Sequence, residues 1–195
     1  MINDTNTDLR ELVGRYADRL AASLAAIPME PVGALAAALR RAWGSGHSVY
    51  LCGNGGSAGN AAHLANDWLY GAGVNAGGGV RVEALSANTS VLTCLANDIG
   101  YEHIFSEQIR VKANPGDVLL VLSGSGNSPN VVAAIETANT MGLTTVAILG
   151  FSGGRCKDIA QHVIHFDVHD MQVAEDLQLV VGHICMQWLR AKGKA

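Results

Sequence analysis

The feature that most constrains this chain is a repeated alternation. Short apolar runs at 48–52, 82–86, 118–122, 144–149 and 163–168 are separated by stretches with helical spacing. Runs this short and this apolar suit strands buried on both faces of a parallel sheet. The intervening stretches at 58–69, 89–97, about 102–110, 129–141 and 155–161, and the closing one at about 171–190, read as helices. Strand alternating with helix predicts an α/β doubly wound fold, with right-handed crossovers placing helices on both faces of the sheet. Upstream, Leu9, Leu12, Val13, Tyr16, Leu20 and Leu24 recur at helical spacing and predict an amphipathic helix over 7–26. Pro28 and Pro31 are expected to break the chain before a second helix from about Val32 to Trp43. The 195 residues therefore read as one domain with an N-terminal helical extension at about 7–44. The Gly-rich connector Gly71–Gly79 is expected to be a mobile loop.

Two strand-to-helix turns carry the candidate chemistry. GNGGS (53–57) follows the 48–52 run, and SGSGNS (123–128) follows the 118–122 run. Open α/β sheets bind ligands beyond the carboxyl ends of their strands. Glycines there let backbone N–H groups approach a ligand, serines add hydroxyls, and the next helix presents its positive end. Ser123, Ser125 and Ser128 together have the character of a phosphate site. The competing explanation is ordinary tight-turn chemistry, and two such loops in equivalent places favour a ligand. Neither is a Walker loop, because no Gly-Lys-Ser/Thr follows, and neither is a full GxGxxG fingerprint.

Charge narrows the options. Lys+Arg number 13 against 17 Asp+Glu, a net charge of −4, which argues against nucleic acid as a partner. No Lys or Arg occurs between Arg41 and Arg81, or between Lys112 and Arg155, so both loops lie in stretches without cations. Any phosphate held there is held by backbone dipoles and hydroxyls, and a cation, if one is needed, must come from a metal or a neighbouring subunit. Charged residues are only 15% of the chain, which points to faces buried between subunits. No apolar run is long enough for a membrane span. The polar N-terminus has no signal-peptide character. Four scattered cysteines without a CxxC pair favour a reducing compartment, and the expected location is the cytoplasm.

A second constellation lies on the predicted helices. His63 and Asp67 stand at i and i+4 on one face, spacing that suits an acid/base dyad or half a metal site, and equally a solvent-facing pair. The last helix adds Glu175, Asp176 and His183. A histidine among Leu177, Val180, Val181 and Ile184 is read on its own as a packed core residue. His162, His165 and His169 are close in sequence but form no convincing metal pattern.

CGNGGSAGNAAHLANDW (52–68), LAND (95–98) before Gly100-Tyr101, PGDVLLVLSGSGNSPNVVAAI (115–135) and AEDLQLVVGHI (174–184) together resemble the SIS (sugar isomerase) family. Within it the chain is similar to the phosphoheptose isomerases, over nearly its whole length. The resemblance implies a flavodoxin-like three-layer sandwich around a five-stranded parallel sheet, with N-terminal helices, assembled as a homotetramer with active sites between subunits. It implies that Asn54, Gly55, Gly56 and Ser57 line the sugar, with Asp98 nearby. Ser123, Gly124, Ser125, Gly126, Asn127 and Ser128 would hold its phosphate. Asp67 and His183 fall on the catalytic pair, and His63, Asp67, Glu175 and His183 on the zinc ligands of some members. Several positions depart from the family pattern. Asp67 stands where Glu is usual, Glu175 where Gln is usual, Asn88 where Asp is common, and SGSGNS replaces STSGNS. The arginine of a Gly-Arg-Tyr segment is missing, with Leu69-Tyr70-Gly71 in its place.

The expected function is therefore an aldose–ketose isomerase acting through an enediol on a sugar phosphate, foremost sedoheptulose 7-phosphate. Asp67 would be the base, His183 the acid, and zinc the expected cofactor. The alternatives are an isomerase of another phosphorylated sugar and a non-catalytic sugar-phosphate-binding or adaptor protein. Retention of His183 and of a carboxylate at 67 argues against the last.

Overall fold

The computed structural model describes residues 2–74 and 77–195. Five strands, β1 (Ser48–Cys52), β2 (Arg81–Ala84), β3 (Val118–Ser123), β4 (Thr144–Leu149) and β5 (His162–His165), form one sheet. All neighbours pair in parallel, in the order β2-β1-β3-β4-β5. This is the flavodoxin-like order, and the strand sequence reverses direction between β1 and β3.

The helices are α1 (Ile2–Ala25), α2 (Met29–Ser45), α3 (Gly56–Tyr70), α4 (Thr89–Asp98), α5 (Ser106–Lys112), α6 (Pro129–Thr140), α7 (Gly154–Ile159) and α8 (Met171–Lys192). They cover the sheet on both sides, and β3 shows how. Its Val118, Leu120 and Leu122 join a core with Leu35 and Leu39 of α2, Leu64 and Trp68 of α3, and Leu177 and Val181 of α8. Its Leu119 and Val121 join the opposite core with Ile109 of α5, Val131 and Ile135 of α6, and Cys156 of α7. The period of two along a strand accounts for the division. Burial on both faces holds throughout β3, whereas the edge strand β2 leaves Arg81 and Glu83 exposed.

Several boundaries differ from the sequence reading for identifiable reasons. Pro31 does not break the chain. It lies in the first turn of α2, where a backbone N–H has no acceptor within the helix and its loss costs nothing. The helix expected at 102–110 is two pieces, a 3-10 turn at Tyr101–His103 and then α5, because Ile104 and Phe105 between them turn into the core. The connector at 71–79 is anchored on both sides of Asn75 and Ala76, which lie outside the described residues. Gly71–Gly73 is a 3-10 turn, the Trp43 indole donates to the Gly78 carbonyl at 3.1 Å, and Val80 N–H donates to the Trp68 carbonyl at 3.0 Å.

α3 and α8 lie side by side and run in the same direction. The Gln178 amide donates to the buried Ser57 hydroxyl at 3.0 Å. Asn60 donates to the Glu175 carbonyl at 2.9 Å and to the Gln178 side chain at 3.0 Å. Further along, the Trp68 indole donates to the Gly182 carbonyl at 3.2 Å. Gly182 lets the helices approach, since a Cβ there would stand 2.2 Å from Leu64 Cδ2.

α1 is docked through its second half. Tyr16, Leu20 and Leu24 pack against the α2/α3/α8 core, and the Tyr16 hydroxyl donates to Asp176 at 2.6 Å. Arg19 reaches Asp170 at 3.1 Å. Its first half leaves Leu9 and Val13 52% and 66% exposed.

Two predictions follow from this packing. Gly182→Ala gains helix propensity but overpacks against Leu64, and is expected to cost about 1–3 kcal/mol net. The check is the urea unfolding midpoint, and an unchanged or higher midpoint contradicts the packing argument. The Tyr16 phenol pKa rises from 10.0 to about 12, through desolvation first and the hydrogen bond to Asp176 second. The folded state thus holds this proton more tightly than the unfolded chain. Its contribution is complete below pH 10 and is lost as pH climbs through about 12. Tyr16→Phe is expected to remove that component from the alkaline unfolding profile; an identical profile would refute the assignment.

Candidate functional site

The order reversal parts the chain at the ends of β1 and β3, and the two Gly/Ser loops line the resulting crevice. Gly53 leaves β1 where a Cβ would lie 2.7 Å from the Leu122 carbonyl oxygen of β3, so a side chain there would force the strands apart. Beyond it, the loop after β3 is tied by its own hydroxyls. Ser123 Oγ accepts from Gly126 N–H at 3.0 Å, and Ser125 Oγ accepts from Asn127 N–H at 3.3 Å. Asn127 Oδ1 accepts from Arg155 N–H at 2.8 Å. Gly126 has φ +66, and a Cβ on it would stand 1.9 Å from the Gly153 carbonyl oxygen, so only glycine fits.

An amide pair joins the two loops across the crevice. Asn54 donates to Asn130 Oδ1 at 2.9 Å, and Asn130 donates back to Asn54 Oδ1 at 2.8 Å. The Tyr101 hydroxyl also donates to Asn54 Oδ1, at 3.0 Å. Between the loops lies a cavity of about 260 Å³, lined by Asn54, Gly55, Gly56, Ser57, Ser123, Gly124, Ser125 and Ser128, with Met171 and Glu175 from α8. No lysine or arginine contributes to that lining, as the distribution of basic residues in the sequence implies.

The expected substrate residues do not all stand in equivalent places. Eight of them line the cavity, whereas Gly126 and Asn127 shape the loop behind it. The Ser57 hydroxyl is buried and engaged by Gln178. Asp98 is exposed at the end of α4 and is not part of the lining. The Asn97 amide and the Cys94 thiol donate to it and hold its carboxyl below the usual range, so it carries its charge.

His63, Asp67 and His183 form a separate cluster. Their ring and carboxylate atoms converge, with His63 Nε2 to His183 Nε2 at 2.9 Å and Asp67 Oδ2 at 3.5 and 3.4 Å from the two rings. His183 is thus not a packed core histidine; its side chain is 38% exposed and faces α3. Two imidazoles and one carboxylate oxygen aimed at one point match the three-protein-ligand set of an open divalent-metal site. The same three groups can also accept and donate protons.

Glu175 does not join this cluster. Its carboxylate lies against the start of α3, where a Cβ on Gly56 would meet it at 2.3 Å. The positive end of α3 favours a carboxylate there. His63 is seven residues beyond Gly56 and His183 eight beyond Glu175. Because the helices run in parallel, the cluster stands two turns away, about 10 Å along their axes. The four residues of the expected metal set are therefore divided within one chain, three together and one in the cavity.

Sequence reading assigns no role to Asn130, Tyr101, Asn60, Gln178 or Met171. Asn130 left a usable signal: it follows Pro129 in the first turn of α6, where an amide can turn back to the crevice. Gln178 left none, because a glutamine on an amphipathic helix reads as a solvent-facing residue until α3 is placed beside it.

The SIS domain family profile matches residues 15–150 of the chain. A phosphoheptose isomerase of Chlorobaculum parvum is 38% identical over 177 residues, covering 88% of this chain and 83% of the relative. A phosphoheptose isomerase of Rhodospirillum rubrum is 39% identical over 155 residues, covering 80% of each. Among solved structures, phosphoheptose isomerase GmhA from Neisseria gonorrhoeae superposes with a TM-score of 0.83 at 25% identity, over 98% of this chain and 100% of that one. A Francisella tularensis phosphoheptose isomerase shares the fold with a TM-score of 0.84 at 22% identity, over 95% and 98%. With the strand order, the paired Gly/Ser loops and the His/Asp/His cluster in place, these matches identify the chain as a member of the SIS domain family, on its phosphoheptose isomerase branch.

Proposed function

We propose that this protein is an aldose–ketose isomerase of a phosphorylated sugar, converting sedoheptulose 7-phosphate to D-glycero-D-manno-heptose 7-phosphate through an enediol. The observation that carries the reading is the cavity at the strand-order reversal, walled by two Gly/Ser loops and built without cations. The amides of Gly126 and Asn127 are taken up within the loop, so the Ser125 and Ser128 hydroxyls and the start of α6 face the phosphate. Asn54, fixed by Asn130 and Tyr101, and the Glu175 carboxylate face the sugar hydroxyls.

The reaction needs a base for the proton beside the carbonyl and an acid at the carbonyl oxygen. Asp67 takes the carbon-bound proton and returns it to the neighbouring carbon. His183 protonates the carbonyl oxygen and recovers a proton from the adjacent hydroxyl. His63, at hydrogen-bond distance from His183, sets which ring nitrogen carries the proton. A zinc ion on His63, Asp67 and His183 would polarise the carbonyl. An Asp67 ligated to metal is not free as a base, so the two roles exclude each other.

The proposed assembly is a homotetramer with active sites between subunits. Two observations support it. The cluster lies two turns from its own chain's cavity, and Tyr70 and Ile184, next to it on α3 and α8, are 73% and 45% exposed. Glu175 completes the metal set only across such a boundary. A cytoplasmic location suits the four free cysteines.

The direct test is incubation with sedoheptulose 7-phosphate, with and without zinc, and analysis for the aldose; no product in either condition refutes the reading. A panel of other sugar phosphates tests the nearest rival. In the active protein, His183→Ala and Asp67→Asn are each expected to lower kcat by about 100-fold or more, with a small change in KM. Ser128→Ala is expected to raise KM by up to about ten-fold with kcat preserved, the scale of one hydrogen bond. Calorimetric titration with zinc should show binding that His63→Ala abolishes; equal binding by the variant moves the metal elsewhere.

A further inference from the structure

The most strained backbone among the described residues lies behind the serine loop. Phe151, just past β4, has φ +46 and is the one described non-glycine residue with positive φ. It occupies the first central position of a turn closed by Gly153 N–H donating to the Gly150 carbonyl at 2.9 Å. Positive φ at that position alone normally requires glycine. A phenylalanine persists there only when its surroundings over-determine it, and such residues concentrate at ligand sites.

The surroundings are specific. His165, the last residue of β5, places Nε2 2.8 Å from the Phe151 carbonyl oxygen. Lys157 Nζ lies 3.2 Å from His165 Nδ1. An ammonium can only donate, so Nδ1 accepts and Nε2 carries the proton that bonds Phe151. Phe151 N–H in turn donates to the Val168 carbonyl at 3.0 Å, so both backbone groups of the strained residue are pinned.

The pinned turn meets the serine loop at every level. Gly150 N–H donates to the Gly124 carbonyl at 3.0 Å. Cys156 N–H donates to the Gly126 carbonyl at 2.9 Å, and Arg155 N–H to Asn127 Oδ1 at 2.8 Å. The Phe151 ring stands edge-on to His169 and within 3.7 Å of where a Cβ on Gly124 would lie.

We infer that His165, with its tautomer set by Lys157, is a positioning residue for the phosphate end of the substrate: it holds Phe151 in its strained conformation, and the 150–156 turn holds the serine loop. It touches neither substrate nor reacting atoms, so its loss falls on phosphate affinity and not on the proton transfers. The inference rests on the reading of the serine loop as the phosphate site.

The test compares the wild type with His165→Leu, His165→Gln and Lys157→Met. The readouts are the dissociation constant for inorganic phosphate, and KM and kcat with sedoheptulose 7-phosphate. His165→Leu is expected to weaken phosphate binding and raise KM by about ten-fold, with kcat within about two-fold, as for one lost hydrogen bond. His165→Gln keeps an N–H donor near the Phe151 carbonyl and is expected to recover most of that loss. Lys157→Met frees the tautomer and is expected to shift KM in the same direction by a smaller factor. Should His165→Leu fail to fold, the other two variants decide. Lys157→Met with unchanged KM and phosphate affinity overturns the inference, as does a folded His165→Leu that binds phosphate like the wild type. A fall in kcat at constant KM also overturns it. A wild-type protein that binds neither phosphate nor the sugar phosphate overturns the phosphate-site reading and this inference together, an outcome the wild-type measurement alone identifies.

Discussion

The reversal of strand order between β1 and β3 is the constraint on which the rest of this molecule depends. Two adjacent parallel strands whose crossovers leave in opposite directions cannot have their following helices packed together at the carboxyl edge, and a crevice results. Both walls of that crevice are then strand-to-helix turns, which already need glycine for their geometry and already end on helix N-termini. The Asn54–Asn130 amide pair fixes the width of the opening. The composition of the site, rich in glycine and serine and free of cations, is what such turns consist of when a ligand must come close to the backbone.

The second organising contact is the parallel packing of α3 against α8. It buries Ser57, Gln178, Leu64 and Trp68, and it presents different chemistry at its two ends. At the start the pair offers Gly56 and Glu175 to the cavity; two turns on it offers His63, Asp67 and His183. Gly182 keeps the helices close enough for the two histidine rings to meet.

Much of this is legible in the sequence, and the limits are physical. The central strands β1, β3 and β4 are readable because double-sided burial demands continuous apolar runs; β2 and β5 are blurred because an edge strand tolerates Arg81 or His162. The expected family, α/β fold and five-stranded parallel sheet all hold. The convergence of His63 with Asp67 follows from helical spacing. Their meeting with His183 comes from an interhelix contact that no local pattern encodes, and the family resemblance supplied it. The separation of Glu175 from that cluster was not readable, because spacing on a helix wheel fixes direction around the axis and leaves distance along it to be set by the partner helix. Pro31 is ambiguous for a related reason: a proline marks a break or a first turn according to where the helix begins.

The walls that this chain gives the cavity carry no lysine or arginine, and with Glu175 among them and a net charge of −4 they exert no long-range pull on an anion. Attraction of an anion to these walls begins only at hydrogen-bond range, where water must be shed against fixed N–H and O–H groups. Capture is then governed by fit and by the frequency of productive collisions, with little electrostatic steering to accelerate it. What these walls give up in encounter rate they recover as discrimination: an anion is sorted by how its acceptors fit them, and polyanions that crowd onto basic surfaces find no such surface here.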